Sequence, residues 1–170
     1  IGMKFPDVFS SLYAMSSCCL IPRTATVEQA KAMEGITLQQ ALKPEFDMRF
    51  DLATAAAWSP APNKPPLFLY SGAKGDALDP LVVAKWAANA PLAMLPQYVP
   101  ALRSMTAISL DVGDQDFILA DSNAMHAELN RYGVAHHFEV YDGDHGSRVP
   151  ERFQAKVLPF FAKHLAGQGP

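Results

Sequence analysis

The chain has little cysteine, no cluster of one charge and no long apolar run, and each shortage removes a class of protein. Only two cysteines occur in 170 residues, Cys18 and Cys19, and they are adjacent. Neighbouring cysteines rarely close a disulfide, because the ring strains the peptide between them. The expectation is therefore two small, partly buried thiols without a disulfide framework. No CxxC or HExxH spacing is present, so neither a metal nor another cofactor is expected. Fourteen Lys and Arg stand against seventeen Asp and Glu, a net charge of −3, with no basic cluster. Nucleic acid and anionic membranes thus have no electrostatic footprint to meet. The longest apolar stretches, such as Phe153 to Leu165, are broken by charge within a few residues, too short for a transmembrane helix.

What is present is enough for a core. Hydrophobic residues make up 49% and charged ones 18%, with a mean hydropathy of +0.02. That balance excludes disorder over the whole chain, and the length suits one domain of roughly 100–200 residues. Proline is abundant and uneven: eight of the 14 lie between Pro60 and Pro100.

The opening Ile1-Gly2-Met3-Lys4-Phe5-Pro6 reads as the last turn of a helix stopped by proline, neither an initiator nor a signal peptide. A further segment is expected before it. Residues 8–15 (VFSSLYAM) read as a buried strand, apolar on both faces. Short helices follow from Thr26, with Thr26 or Thr24 as cap, to Gly35, and from Thr37 to the residue before Pro44. A third spans Arg49 to Trp58 and ends in a stretch too rich in proline for a regular element. Asp79-Pro80 opens a helix through Asn89, and Pro91, Pro96 and Pro100 cut the chain into short pieces up to Met105. The whole of 20–104 reads as a helical, proline-rich insertion. Regularity returns with a strand over 107–112 and a helix over 118–132 stopped by Gly133. In that helix Ile118, Met125, Leu129 and Tyr132 share one face. A strand over 136–141 comes next, then an amphipathic helix over 151–165 that Pro159 kinks or splits. Its apolar face runs through Phe153, Val157, Phe160, Phe161 and Leu165. Strands joined by single helices are expected to be parallel. The fold class is therefore α/β, and three strands alone leave the 8–15 strand in want of a neighbour, from another segment or from a second copy in a homo-oligomer.

In such a sheet the loops at the carboxyl ends of the strands form the site. Two of them hold the ionisable residues: Asp111-Val112-Gly113-Asp114-Gln115-Asp116 and Asp142-Gly143-Asp144-His145-Gly146. Parallel strands would bring Asp116 and His145 together across 29 positions. A carboxylate on one imidazole nitrogen sets the tautomer and leaves the other as a general base. Simpler roles also fit these residues. Asp114 and Asp116 suit turns and helix caps, and His145 suits an exposed loop. His126, His136, His137 and His164 read as surface residues. Asp142 and Asp144 lack the further oxygens of a Ca²⁺ loop. No Gly-x-Ser-x-Gly and no HGGG-like loop occurs, so a base and its orienter stand without a nucleophile.

The run from Thr106 to Leu165 resembles the end of the esterase D and feruloyl-esterase-like branch of the α/β-hydrolases. Gly113-Asp114-Gln115-Asp116 is similar to that family's G-x-x-D loop, and Gly143-Asp144-His145 to its G-x-H turn. The opening Gly2-Met3-Lys4-Phe5-Pro6-Asp7-Val8-Phe9 resembles the segment after a nucleophile elbow, and the Trp- and Pro-rich middle resembles a cap insertion. The resemblance implies the C-terminal half of an α/β-hydrolase domain over 1–170, with 20–104 as its cap-like insertion. It implies a serine carboxylic-ester hydrolase acting on a small ester. Asp116, in preference to Asp114, would be the triad acid and His145 the base. The serine and the oxyanion hole would come from a partner segment upstream. Trp58, Trp86, Met94 and Tyr98 are candidates to wall an apolar acyl or aryl pocket, or to pack the insertion. Two other functions stay open: acyl transfer to an alcohol, as in mycolyltransferases, and a non-catalytic, hydrolase-like binding domain.

Overall fold

A computed structural model of the protein describes residues 1–23, 25–43 and 45–165. In chain order it contains β1 (Ser11–Met15), α1 (Val27–Glu34), α2 (Leu38–Ala41), α3 (Phe46–Trp58), a small hairpin of β2 (Ala73–Lys74) and β3 (Ala77–Leu78), α4 (Pro80–Asn89), α5 (Pro91–Met94) and α6 (Val99–Ser104). Then come β4 (Ala107–Gly113), α7 (Leu119–Arg131), β5 (His137–Tyr141), α8 (Val149–Arg152) and α9 (Leu158–His164). The chain divides into a sheet unit, residues 1–20 with 94–170, and a helical unit, residues 21–93. The helical unit is narrower than the expected 20–104 span. No helix among the described residues is long and apolar enough to cross a membrane.

In the sheet unit three strands run parallel in the order β1-β4-β5, the α/β architecture expected from the alternation of strand and helix. β4 is the central strand, and its residues 108–113 are buried throughout, as a strand covered on both faces must be. β1 has one strand neighbour among the described residues, so only Ser11 is fully buried along it. It is also shorter than the expected 8–15. The N–H groups of Val8 and Phe9 bond back to the Phe5 carbonyl, which carries the opening helical turn on past Pro6 and leaves Val8 exposed.

α7 is the crossover between β4 and β5, and it buries Met125 and Leu129 with Ile118 just ahead of it. Tyr132 is only half-buried, with Arg131 over its ring. The helix stops because Gly133 takes φ 60°. Its N–H reaches the Asn130 carbonyl while that of Val134 reaches Leu129, the paired bonds of a Schellman stop. Pro96 and Pro100 sit in the first turns of short helical pieces, where a missing N–H costs nothing. Leu95 and Leu102 from these pieces are buried.

The final helix is not split at Pro159. One π-type turn over Phe153–Val157 joins α8 to α9, with the Leu158 N–H bonding the Phe153 carbonyl, so the proline falls in the first turn after the change of pitch. The extra residue in that turn also rotates the buried face. Arg152 and Val157 point inward, whereas Phe153 and Leu165 of the expected apolar stripe are exposed.

The helical unit has its own core of Ala25, Met33, Leu52, Ala55, Val82 and Trp86, with Met48, Trp58, Leu69 and Tyr70 packed against it. α1 and α2 each begin with a capping box, Thr26 with Gln29 and Thr37 with Gln40. Thr24, the other candidate cap, lies outside the described residues. α3 begins at Phe46, earlier than the expected Arg49. The proline-rich 59–70 stretch forms no regular element, but its ends are pinned by Tyr70 N–H to the Ser59 carbonyl and Ala61 N–H to the Phe68 carbonyl. The β2–β3 hairpin was not legible in the sequence, where Gly75-Asp76 marks only a turn.

Candidate functional site

The parallel pairing of β4 with β5 puts their following loops on one sheet edge, in register from Ser109↔His137 to Gly113↔Tyr141. Backbone bonds stitch the two loops together. Asp114 N–H donates to the Tyr141 carbonyl (2.8 Å) and Gln115 N–H to the Gly143 carbonyl (3.0 Å). The Asp114 carboxylate accepts from the Gly143 N–H at 3.0 Å. Gly113 makes this approach possible, since a Cβ there would lie 2.0 Å from the Gly143 carbonyl oxygen. The glycine of the G-x-x-D run is thus needed for closeness and not for an unusual φ.

The structure brings Asp116 and His145 together across this seam. His145 Nδ1 lies 3.1 Å from both carboxylate oxygens of Asp116. The Asp116 side chain is fully buried while that of His145 is 45% exposed. A carboxylate can only accept, so Nδ1 carries the proton, and in the neutral ring it is Nε2 that keeps the lone pair. Asp116 is itself held by the Ile118 N–H at 3.0 Å, a local turn ahead of α7 that fixes the partner of the imidazole. Of the two aspartates in the loop, Asp114 faces the backbone of the facing turn and Asp116 faces the ring. Asp144 is occupied locally, accepting from the Gly146 and Ser147 N–H groups, and those bonds hold its carboxyl below the usual range. The exposed ring of Phe117 stands 4.7 Å from the imidazole, a neighbour not picked out from the sequence.

A second polar cluster, also missed from the sequence, lies within the sheet. Asp111 on β4 is buried, and its Oδ2 accepts from Arg152 Nε (2.9 Å), Arg152 Nη2 (2.8 Å) and the Tyr13 hydroxyl (2.8 Å). Arg152 also reaches Glu139 on β5, which Lys156 joins at 3.0 Å. The hydrogen bond from Arg152 draws the Glu139 carboxyl down to about 2. Burial, then the bond to Asp111, pushes the Tyr13 hydroxyl up. The only sequence signal was Asp111 in the middle of a β-prone run, where an unpaired carboxylate would be costly.

The remaining histidines differ in part from expectation. His137 is exposed, as a surface residue should be, but His126 and His136 are half-buried and meet with Nδ1 to Nε2 at 2.7 Å. Burial and then the His136 charge hold His126 below its ordinary pKa. They lie ten residues apart, one on α7 and one in the loop before β5, so no local pattern announces the pair. The four pocket candidates fall in both units. Trp58 and Trp86 meet edge to face at 6.4 Å in the helical unit, where buried Trp86 donates to the Ser59 hydroxyl. Met94 and Tyr98 belong to the sheet unit, the first buried and the second half-buried. No group of three or more potential metal ligands occurs among the described residues.

Chemically, a buried carboxylate on Nδ1 of a half-exposed imidazole is a proton acceptor with its orientation set. No family model matches the chain, and no curated protein matches it. Among solved structures, a ferulic acid esterase is similar at 21% identity with a TM-score of 0.49. The match covers 95% of this chain and 45% of the esterase, so the chain spans less than half of that protein's length.

Proposed function

We propose that this chain supplies the acid and base of a Ser-Asp-His triad in a serine carboxylic-ester hydrolase of the α/β-hydrolase type. The serine and the oxyanion hole come, in this reading, from a segment outside residues 1–170. The supporting observation is the contact of His145 Nδ1 with the buried Asp116 carboxylate at 3.1 Å, on the edge where parallel strands end. Such a pair needs only a nucleophile and an oxyanion hole to hydrolyse an ester. The serine oxygen attacks the ester carbonyl carbon while His145 Nε2 takes its proton. The same proton passes to the leaving alkoxide as the tetrahedral intermediate collapses. Water then repeats the cycle on the acyl-serine, and Asp116 stabilises the imidazolium in both halves.

The test joins the chain to a segment carrying a nucleophile elbow and follows p-nitrophenyl acetate hydrolysis. His145→Ala is expected to lose at least about 10³-fold in kcat, and Asp116→Asn, which keeps the shape, about 10³–10⁴-fold. Full activity in His145→Ala would remove the histidine from the chemistry and overturn the reading.

A further inference from the structure

The turn that leaves β1 holds chemistry the proposed hydrolase does not use. Ser16 and Cys19 are non-glycine residues with left-handed backbones, at φ 38° and 64°. The turn is anchored on both sides: Ser16 N–H bonds the Asp111 carbonyl at 2.8 Å, and Leu20 is buried. Between the anchors Cys18 is exposed and Cys19 half-buried, and their sulfurs stand 2.9 Å apart. Two thiols of adjacent residues are thus held face to face, one open to solvent and one behind it.

We propose that Cys18 and Cys19 form a redox-modification site that hydroperoxide-class oxidants close into a disulfide between adjacent residues. The Cys18 thiolate attacks the terminal peroxide oxygen, forming a sulfenic acid and releasing the alcohol, or water from hydrogen peroxide. The Cys19 sulfur then attacks the Cys18 sulfur, the S–S bond forms and hydroxide leaves as water. Two thiols lose two electrons and two protons in all, and the peroxide is reduced by two. An accessible cysteine with a resolving partner beside it is the usual build of such a sensor.

The closed ring is suited to reversal. Adjacent Cα atoms on a trans peptide are about 3.8 Å apart, short of the roughly 4.4–6.8 Å of ordinary disulfides. The ring is therefore strained, and strained, exposed disulfides are the readily reduced kind. The strain that makes this pair a poor staple makes it a reversible one. Because β1, β4 and β5 are parallel, the turn opens on the same sheet edge as the loops of Asp116 and His145. The chemistry needs neither of those residues.

The experiment treats the chain with stoichiometric hydrogen peroxide and reads intact mass and iodoacetamide labelling. The expected result is a loss of two hydrogens, with neither cysteine alkylated until dithiothreitol restores both. Cys18→Ser and Cys19→Ser, shown folded by circular dichroism, should instead gain oxygen or link two chains. His145→Ala should close the ring as wild type does, which separates this site from the proposed triad. Wild-type chains that keep both thiols alkylatable, gain only oxygen, or link to each other in place of closing the ring would overturn the proposal.

Discussion

Single residues set the geometry of the seam between the β4 and β5 loops. Gly113 is the plainest case, because its missing Cβ is the space that the Gly143 carbonyl fills. Gly113→Ala would have to push one loop off the other, a backbone displacement worth about 1–3 kcal/mol of stability. It should also separate Asp116 from His145, seen as loss of the downfield Nδ1 proton in the NMR spectrum. Gly146 in the facing turn has nothing within 4 Å of such a Cβ, so Gly146→Ala is the matched control and should leave both readouts unchanged. Equal behaviour of the two variants would refute the close-packing argument. At the same scale the sequence was informative about Asp116 and His145, which announce themselves by residue type after strand ends. It was silent on Phe117, whose place against the imidazole depends on how the loop turns.

Among elements, the final helix is held to the sheet by charge as well as by apolar packing. Arg152 from α8 meets the buried Asp111 of β4, and its guanidinium also lies 3.9 Å from the ring of Tyr141 at the end of β5. Arg152→Met would keep much of the stem and remove the cation, leaving a carboxylate buried without its counter-charge. The expected cost is about 3–5 kcal/mol in urea denaturation, and Asp111→Asn in the same background should recover a substantial part. A cost below about 1 kcal/mol would show the pair to be solvated. Periodicity foretold that a helix covers this region but not its buried face. The π-type turn over Phe153–Val157 shifts the register by one residue, and whether a turn widens depends on the packing it meets.

For the molecule as a whole, the same cluster predicts the response to acid. Glu139 keeps its charge down to about pH 2 because Arg152 hydrogen-bonds it, against an ordinary value of 4.5. A carboxyl depressed in the folded state stabilises above its unfolded pKa and loses that contribution as pH falls through the window between the two values. Folding stability should therefore decline from about pH 4.5 toward pH 2, by roughly 2–3 kcal/mol from this group. In Glu139→Gln that part of the acid limb should flatten, measured by chemical denaturation at stepped pH. An acid limb unchanged by the substitution would assign the loss to other carboxyls.

The order of strand, helix, strand and helix, the helix start at Asp79-Pro80 and the stop at Gly133, and the two loops that carry Asp116 and His145 were all written in the sequence. They follow from local properties: periodicity, the missing N–H of proline, the left-handed freedom of glycine. Only the tertiary structure decided which residues of the last helix are buried, and that Asp111, Arg152 and Glu139 share one cluster. Those outcomes depend on which backbone lies across from which, and a linear pattern does not contain that distance. Gly113 joins the two kinds of information. Its place in the sequence marked the end of a strand, and only the facing carbonyl of Gly143 showed why a side chain there would collide.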